Sequence, residues 1–258
     1  MGVGIILSTI ISLISLKFKL LTISGTITTF ILALLIYTFG TWQWTLPIVT
    51  FFVLSSLLSK FRKKRNKEVE VYFEKSEQRD YLQVLANGGA ACLLVIFYYF
   101  FEYELLYLFY VSIVASACAD TWATEAGTLM KTRTIDILTL KKINQGVSGG
   151  VSLPGTMASI AGAVVIAAVS SFWFDKTNFL IVTFAGFAGS IADSFYGSLF
   201  QAQYECRVCK KVTEKKNHCN EDAVLIKGKR WLNNDTVNFG AGVSGGLFSV
   251  FLFSFVKG

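Results

Sequence analysis

Residues 105–127, LLYLFYVSIVASACADTWATEAG, decide the fold. The run is apolar and long enough to cross a bilayer as one helix, which takes about 20 such residues. Near its end it carries an acid, Asp120, in Ala119-Asp120-Thr121-Trp122. The run 179–201 repeats the arrangement, with Ala192-Asp193-Ser194-Phe195. A carboxylate at such depth costs roughly 2.5–3.5 kcal/mol on insertion scales, so it faces a partner, an ion or a wet cavity rather than lipid.

The whole chain has the same character. Its 258 residues are 53% hydrophobic, with a mean hydropathy of +0.54, which is too apolar for a soluble domain of this length. A hydrocarbon core admits only helices or closed barrels. A barrel would show alternating ten-residue segments, and these runs are continuous. The sequence predicts an all-α, polytopic integral membrane helical bundle forming a single domain, 1–258. Eight segments read as helices: 2–16, 20–40, 44–60, 81–101, 105–127, 147–174, 179–201 and 239–256. The first is short and carries serines. It reads as an anchor or half-span, since no small-x-small cleavage site precedes a soluble domain.

The formal net charge of +7 is distributed as a topology signal. Lys17 and Lys19, the basic loop 60–80, then Lys131, Arg133, Lys141 and Lys142, and the loop 203–230 all fall on one side. Of the 24 Lys and Arg, only Lys176 and Lys257 fall on the other. The excess of bases in cytoplasmic loops predicts that all long loops are cytoplasmic and both termini external. Bases so placed also attract anionic lipid heads. The charge is no sign of nucleic-acid binding.

The acids belong to a larger repeat. Each is followed by a basic loop and then by a glycine-rich helix start, Gly146-Val147-Ser148-Gly149-Gly150 after Asp120 and Gly242-Val243-Ser244-Gly245-Gly246 after Asp193. The second unit is longer by an insertion that maps to 204–226. A fainter copy without the acid runs from Ser55 through Arg79-Asp80 to Asn87-Gly88-Gly89. Ser116, Asp120 and Thr124 share one helix face, and Ala119, Ala123 and Gly127 form a small-residue stripe beside it. Gly189, Asp193 and Gly197 share a face of the other helix. Both carboxylates therefore belong on close-packed interfaces. Glu125 lies nearly half a turn from Asp120 and joins the same site only if the helix unwinds near Gly127.

Lys141-Lys142-Ile143-Asn144-Gln145-Gly146 and Trp231-Leu232-Asn233-Asn234-Asp235-Thr236-Val237-Asn238 read as approaches to helix starts. Such residues are ordinary caps. Free N–H groups beside Lys and Arg also make an anion site, and glycine admits phosphate oxygens close to the backbone. Together with the acids, this pattern suits Mg²⁺ bridging carboxylates to phosphates. In the inserted loop, Cys206, Cys209, His218 and Cys219 are four soft ligands that fit a structural Zn²⁺ site. The adjacent His-Cys pair is tighter than common finger spacing. A disulfide is disfavoured in a loop facing a reducing compartment.

Several of these stretches carry a resemblance: Arg79-Asp80 with Gln83 to Gly89, Ala119 to Glu125, Gly146 to Ser152, and Asn233-Asn234-Asp235-x-Val237-Asn238. The chain resembles the membrane family that contains plant phytyl-phosphate kinase, animal transmembrane protein 19 and many prokaryotic members. The likeness spans nearly the whole chain, and the cysteine insertion is similar to that of prokaryotic members. More distantly, an Asp followed by a Gly/Lys-rich loop is similar to phytol and dolichol kinases, although their Lys-x-x-Glu-Gly segment has no clear equivalent here. The resemblance implies a kinase adding a second phosphate to a prenyl monophosphate, with CTP or another nucleoside triphosphate as donor.

On that reading Asp120, Asp193 and Glu125 hold Mg²⁺. Arg79, Arg133, Lys142 and Arg230 bind phosphates, and Asn87, Asn144 and Asn238 orient them. Gly88, Gly146, Ser148, Gly149, Asn234 and Asp235 complete the nucleotide and phosphate contacts. The partners are the bilayer, the prenyl phosphate and the nucleotide. The competing class is a transporter or flippase for a lipid phosphate, or an ion-coupled carrier, which the repeat and the mid-membrane acids favour. A scaffold anchoring a zinc clamp is a third class, and it leaves Asp120 and Asp193 without a role.

Overall fold

The computed structural model describes residues 2–74, 78–173 and 175–257. Lys75 of the basic loop and Phe174 at the end of the sixth expected segment lie outside these. Seven α-helices carry the fold: α1 (Gly2–Lys17), α2 (Ile23–Arg65), α3 (Tyr81–Phe101), α4 (Glu104–Leu129), α5 (Leu153–Ser170), α6 (Lys176–Leu199) and α7 (Asn234–Lys257). Among the described residues, all but α1 are long and apolar enough to cross a membrane.

Two expected segments, 20–40 and 44–60, appear as the single 43-residue α2, but it is not one straight rod. Thr41 has φ 59° and ψ −155°, outside helical geometry. A straight helix would hold Leu32 and Ile48 about 24 Å apart. Yet a Cβ built on Gly88 would lie 3.3 Å from Leu32 and 3.6 Å from Ile48. The two limbs therefore fold back on one another at Thr41. Pro47, early in the second limb, has no N–H for the carbonyl four residues earlier. That carbonyl, on Gln43, accepts instead from Tyr107 Oη of α4 at 3.1 Å. Tyr110 Oη donates to the next carbonyl, on Trp44. The Trp44 ring packs on Tyr98, Tyr107 and Tyr110 with centroids 4.7–4.9 Å apart. Counting the limbs separately and adding α1 gives the eight helical segments expected.

The acid-bearing α4 is the central helix and packs against α2, α3, α5, α6 and α7. Residues 110–119 are buried without interruption. Small residues permit this. Cβ atoms built on Gly162 of α5 and Gly186 of α6 would lie 3.1 Å from the Cys118 carbonyl oxygen and 2.8 Å from Ala115 Cβ. The Ala119–Ala123–Gly127 stripe faces α5, where a Cβ on Gly155 would meet the Ala123 carbonyl oxygen at 2.9 Å.

The three long links, 66–80, 130–152 and 200–233, meet at one end of the bundle, and the second and third carry short strands, which the all-helical reading did not foresee. In the second link, β1 (Thr134–Asp136) lies between β2 (Lys142–Ile143) and β3 (Gly150–Val151). In the third, β4 (Gln203–Glu205) lies between β5 (Val212–Thr213) and β8 (Val224–Lys227), while β6 (Asn217–His218) pairs with β7 (Glu221–Asp222). All these pairings are antiparallel.

Two expectations about the glycine turns are corrected here. Gly146 to Gly150 does not open a helix. Gly146 and Gly149 have φ of +85° and +83°, so this stretch is a turn into β3, and α5 begins only at Leu153, capped by Ser152. Gly242 to Gly246 lies inside α7, which Asn233 caps eight residues or more upstream. The two motifs share a sequence pattern but not a conformation. The glycines of α7 serve packing instead: a Cβ on Gly245 would lie 2.8 Å from the Ala185 carbonyl oxygen of α6.

Replacing Gly162 by Val would drive methyls into the α4 backbone. Overpacking of this kind costs about 1–3 kcal/mol. Thermal unfolding in detergent should show Gly162→Val destabilised. Gly89→Ala, whose new Cβ meets only Leu85 at 3.7 Å, should cause no loss.

Candidate functional site

Where α4, α6 and α7 meet below the three links there is a cavity of about 680 Å³. Asp120 and Asp193 line it and are half-buried. Their carboxyls are within hydrogen-bonding reach of each other. Oriented to satisfy its neighbours, the Asn238 amide donates from its nitrogen to Asp193 Oδ2 at 2.9 Å and accepts from Asn234 Nδ2 at 3.2 Å. Among the described residues neither Asp is ion-paired. Two carboxylates this close repel unless a proton or a cation lies between them. The oxygens, the neighbouring amide and the polar cavity suit a hard divalent cation, which keeps several waters and takes few protein ligands.

Glu125 lines the same cavity, but its carboxylate is bonded to groups other than the Asp pair. Helix α4 runs unbroken to Leu129, so the unwinding that would bring Glu125 to the Asp pair does not occur. Glu125 accepts from Arg62 Nε at 2.6 Å and from Ser59 Oγ at 2.5 Å. Arg62 is 3% exposed and also pairs with Glu70. Removing one partner of such a buried pair strands the other charge. Glu125 thus fixes Arg62 and the end of α2 to the cavity wall.

The basic wall comes from Lys60, Arg62, Lys63 and Lys64 in the last turns of α2, with Lys67 just beyond them, Lys19 and Arg79. Of the four bases expected to bind phosphates, Arg79 is there. Arg133, Lys142 and Arg230 are exposed and absent from the cavity walls, as is Asn144. Asn87, Gly146, Ser148, Gly149, Asn234, Asp235 and Asn238 do line it. Gly88 is buried against the α2 hairpin instead. Gln145, skipped in the sequence, donates to the Gly127, Met130 and Thr132 carbonyls. It thereby takes up the orphan acceptors at the end of α4.

Glu214 was also missed. It lies in the cysteine-bearing link, yet it enters the cavity and accepts a hydrogen bond from Ser148 Oγ. Its own N–H donates to the Tyr72 carbonyl at 2.9 Å, and Thr213 Oγ1 donates to the Val71 carbonyl at 2.6 Å. The only sequence signal was its place between the Cys206–Cys209 and His218–Cys219 pairs. Asp136 pins the second link: it accepts from Ser198 Oγ of α6 at 2.6 Å and from the Leu138 and Thr139 amides. Gly149 presses against the same serine, where a Cβ would lie 2.9 Å from its nitrogen.

A second, smaller cleft of about 80 Å³ runs between α1, the α2 limbs and α3. It is lined mainly by apolar groups such as Ile11, Leu32, Ile36 and Phe51, and it shares Arg79, Gln83 and Asn87 with the polar cavity. Those three residues sit at the start of α3, where Asp80 and Gln83 form a capping box.

Burial pushes the Glu214 carboxyl up to about 7; the Ser148 hydrogen bond opposes this, and the charges of Glu74 and Asp235 add to it. Its pKa is raised on folding, so stability is full at low pH and falls as pH rises from about 4.5 to 7. In divalent-free buffer, Glu214→Gln should raise the thermal midpoint at pH 8. The gain should be on the order of 3 kcal/mol at most and should vanish near pH 4.5. An equal gain at both pH values would contradict this.

Residues 6–246 match the model of a family described as integral membrane protein DUF92, and the chain belongs to that family. It is 29% identical to Protein PGR of Arabidopsis thaliana over 92% of this chain and 90% of that one. It is 27% identical to the uncharacterized membrane protein MJ0933 of Methanocaldococcus jannaschii, over 97% and 93%. With the uncharacterized membrane protein sll0875 of a Synechocystis strain it shares 27% over 72% and 74%. No solved structure matches the chain.

Proposed function

For this member of the DUF92 membrane family, we propose a membrane-embedded prenyl-phosphate kinase. It transfers the terminal phosphoryl group of a nucleoside triphosphate, CTP in the first instance, to a lipid monophosphate and yields the diphosphate. The observation that carries the reading is the contact between Asp120 and Asp193 in a polar cavity with a basic wall. The resemblance to phytyl-phosphate kinase set out from the sequence supports the substrate class. So does the apolar cleft that meets the cavity at Arg79, Gln83 and Asn87. The end of a prenyl chain nearest the phosphate enters the cleft, the rest extends into lipid, and the phosphate stands at those three residues.

The chain's own groups do little covalent chemistry, as phosphoryl transfer requires mostly positioning and charge stabilisation. Asp120 and Asp193 hold Mg²⁺, with Asn238 fixing the second carboxylate. Bound there, Mg²⁺ would supply positive charge against the phosphates. Arg79 and the lysines of α2 draw donor and acceptor phosphates together. The acceptor oxygen is already anionic, so no base has to take a proton. It attacks the terminal phosphorus, the bond from that phosphorus to the bridging oxygen breaks, and the nucleoside diphosphate leaves. The cavity mouth opens to the cytoplasm, where the nucleotide is.

The test is purified protein in detergent or nanodiscs with prenyl phosphates, Mg²⁺ and a panel of triphosphates. The expected result is a prenyl diphosphate. Asp120→Asn and Asp193→Asn should each lower turnover by about 10²–10³-fold, the usual scale for losing one charge-stabilising group, and should weaken Mn²⁺ binding read by EPR. No product with any donor, from protein shown to be folded, would overturn the reading. Nucleotide-independent flux of lipid phosphate or cations in liposomes would favour a carrier.

A further inference from the structure

The cysteine-bearing link holds a cluster that the phosphotransfer reading does not use. Cys206, Cys209, His218 and Cys219 each offer a ligand atom, and the four atoms lie within 4.8 Å of one another. His218 Nδ1 is 3.5 Å from Cys209 Sγ and 3.3 Å from Cys219 Sγ. Tetrahedral Zn²⁺, with bonds of about 2.3 Å to sulfur and about 2.0 Å to nitrogen, separates such ligands by about 3.5 Å.

The backbone is arranged for the same end. The Cys206 N–H donates to the Lys211 carbonyl, and the Cys209 N–H points at Cys206 Sγ at 3.5 Å. Lys210 turns the chain with φ 58°. On the other arm Cys219 has φ 56° and Asn220 φ 61°, a costly conformation for residues with a Cβ. That turn brings two adjacent side chains to one point, which an extended strand would send to opposite faces. The difficulty that the tight His-Cys spacing raised in the sequence is resolved by it. Three thiols converge on one imidazole nitrogen, whereas a disulfide would take two sulfurs and leave the third.

We propose that these four residues hold one Zn²⁺, and that its function is to carry Glu214 into the polar cavity. Glu214 lies between the two ligand pairs. Residues 207–217 run between them, largely exposed except at Thr213 and Glu214, and their strand pairings are short, β4 with β5 and β6 with β7. With the ion bound, β5 is held where Thr213 and Glu214 bond the Val71 and Tyr72 carbonyls. The ligation does not rest on the kinase reading.

The full chain, purified without added chelator or metal, should contain about one zinc per chain by mass spectrometry, released by mercurial titration of the thiols. Cobalt exchange should give the visible bands of a tetrahedral thiolate site. Cys209→Ser and Cys219→Ser should lose the metal, while His218→Cys, which keeps four soft ligands, should retain it. Absence of zinc from the wild type, or another metal in its place, would overturn the site, as would full zinc retention by both serine variants. Hydrogen exchange then tests the positioning. Amides of 212–214 should exchange about tenfold faster or more in zinc-free Cys209→Ser, since stability is local and follows the anchors. Unchanged protection there would overturn the positioning role and leave the zinc site standing.

Discussion

The contact between Asp120 of α4 and Asp193 of α6 is the constraint around which the bundle is arranged. Carboxyls cannot be left facing hydrocarbon, so the two helices that carry them must approach closely and leave a wet space beside them. Close approach is supplied by Gly186 and Gly189 of α6, whose absent Cβ atoms would meet Ala115 and Ser116 of α4. The wet space is roofed by the links that follow each acid helix. Packing on one side and hydration on the other are two consequences of a single placement of charge.

The cavity separates its charges by source. Anionic groups at the pair come from helix interiors, where neighbours hold them firmly. Cationic groups come mainly from the last turns of α2, where several long side chains share the wall. Arg62 is the exception, locked by Glu125, Ser59 and Glu70. Such an arrangement suits a ligand whose charge is concentrated at one point and spread at another, as in a metal-bound polyphosphate.

The spans were legible because a bilayer demands long apolar runs, and the small-residue stripes of α4 and α6 because helical period puts every fourth residue on one face. The reversal at Thr41 was legible only as the gap between two apolar stretches. Other features required three dimensions. Gly242 to Gly246 reads like Gly146 to Gly150, yet one lies in a helix and the other in a turn, since the pattern does not record whether a cap has already started the helix. Arg62 is one base in a run of several, and burial alone distinguishes it. Glu214 stands in a link that looks remote from both acids in the sequence. Only the docking of β5 on the Val71–Tyr72 carbonyls reveals its position.

Pro47, Gln43 and Tyr107 sit at the end of the bundle opposite the cavity, where the connections between helices are short. From the reversal at Thr41 onward the helical limbs alternate direction, so α7 runs from the cavity to that opposite end. The cavity mouth is covered by the turn between α1 and α2, with Phe18, Lys19 and Leu20, and by the three long links. The links are tied together by Thr213 to Val71, Glu214 to Tyr72 and Gln203 to Ser148. The third link is thus the common partner, hydrogen-bonded to the first through Thr213 and Glu214 and to the second through Gln203.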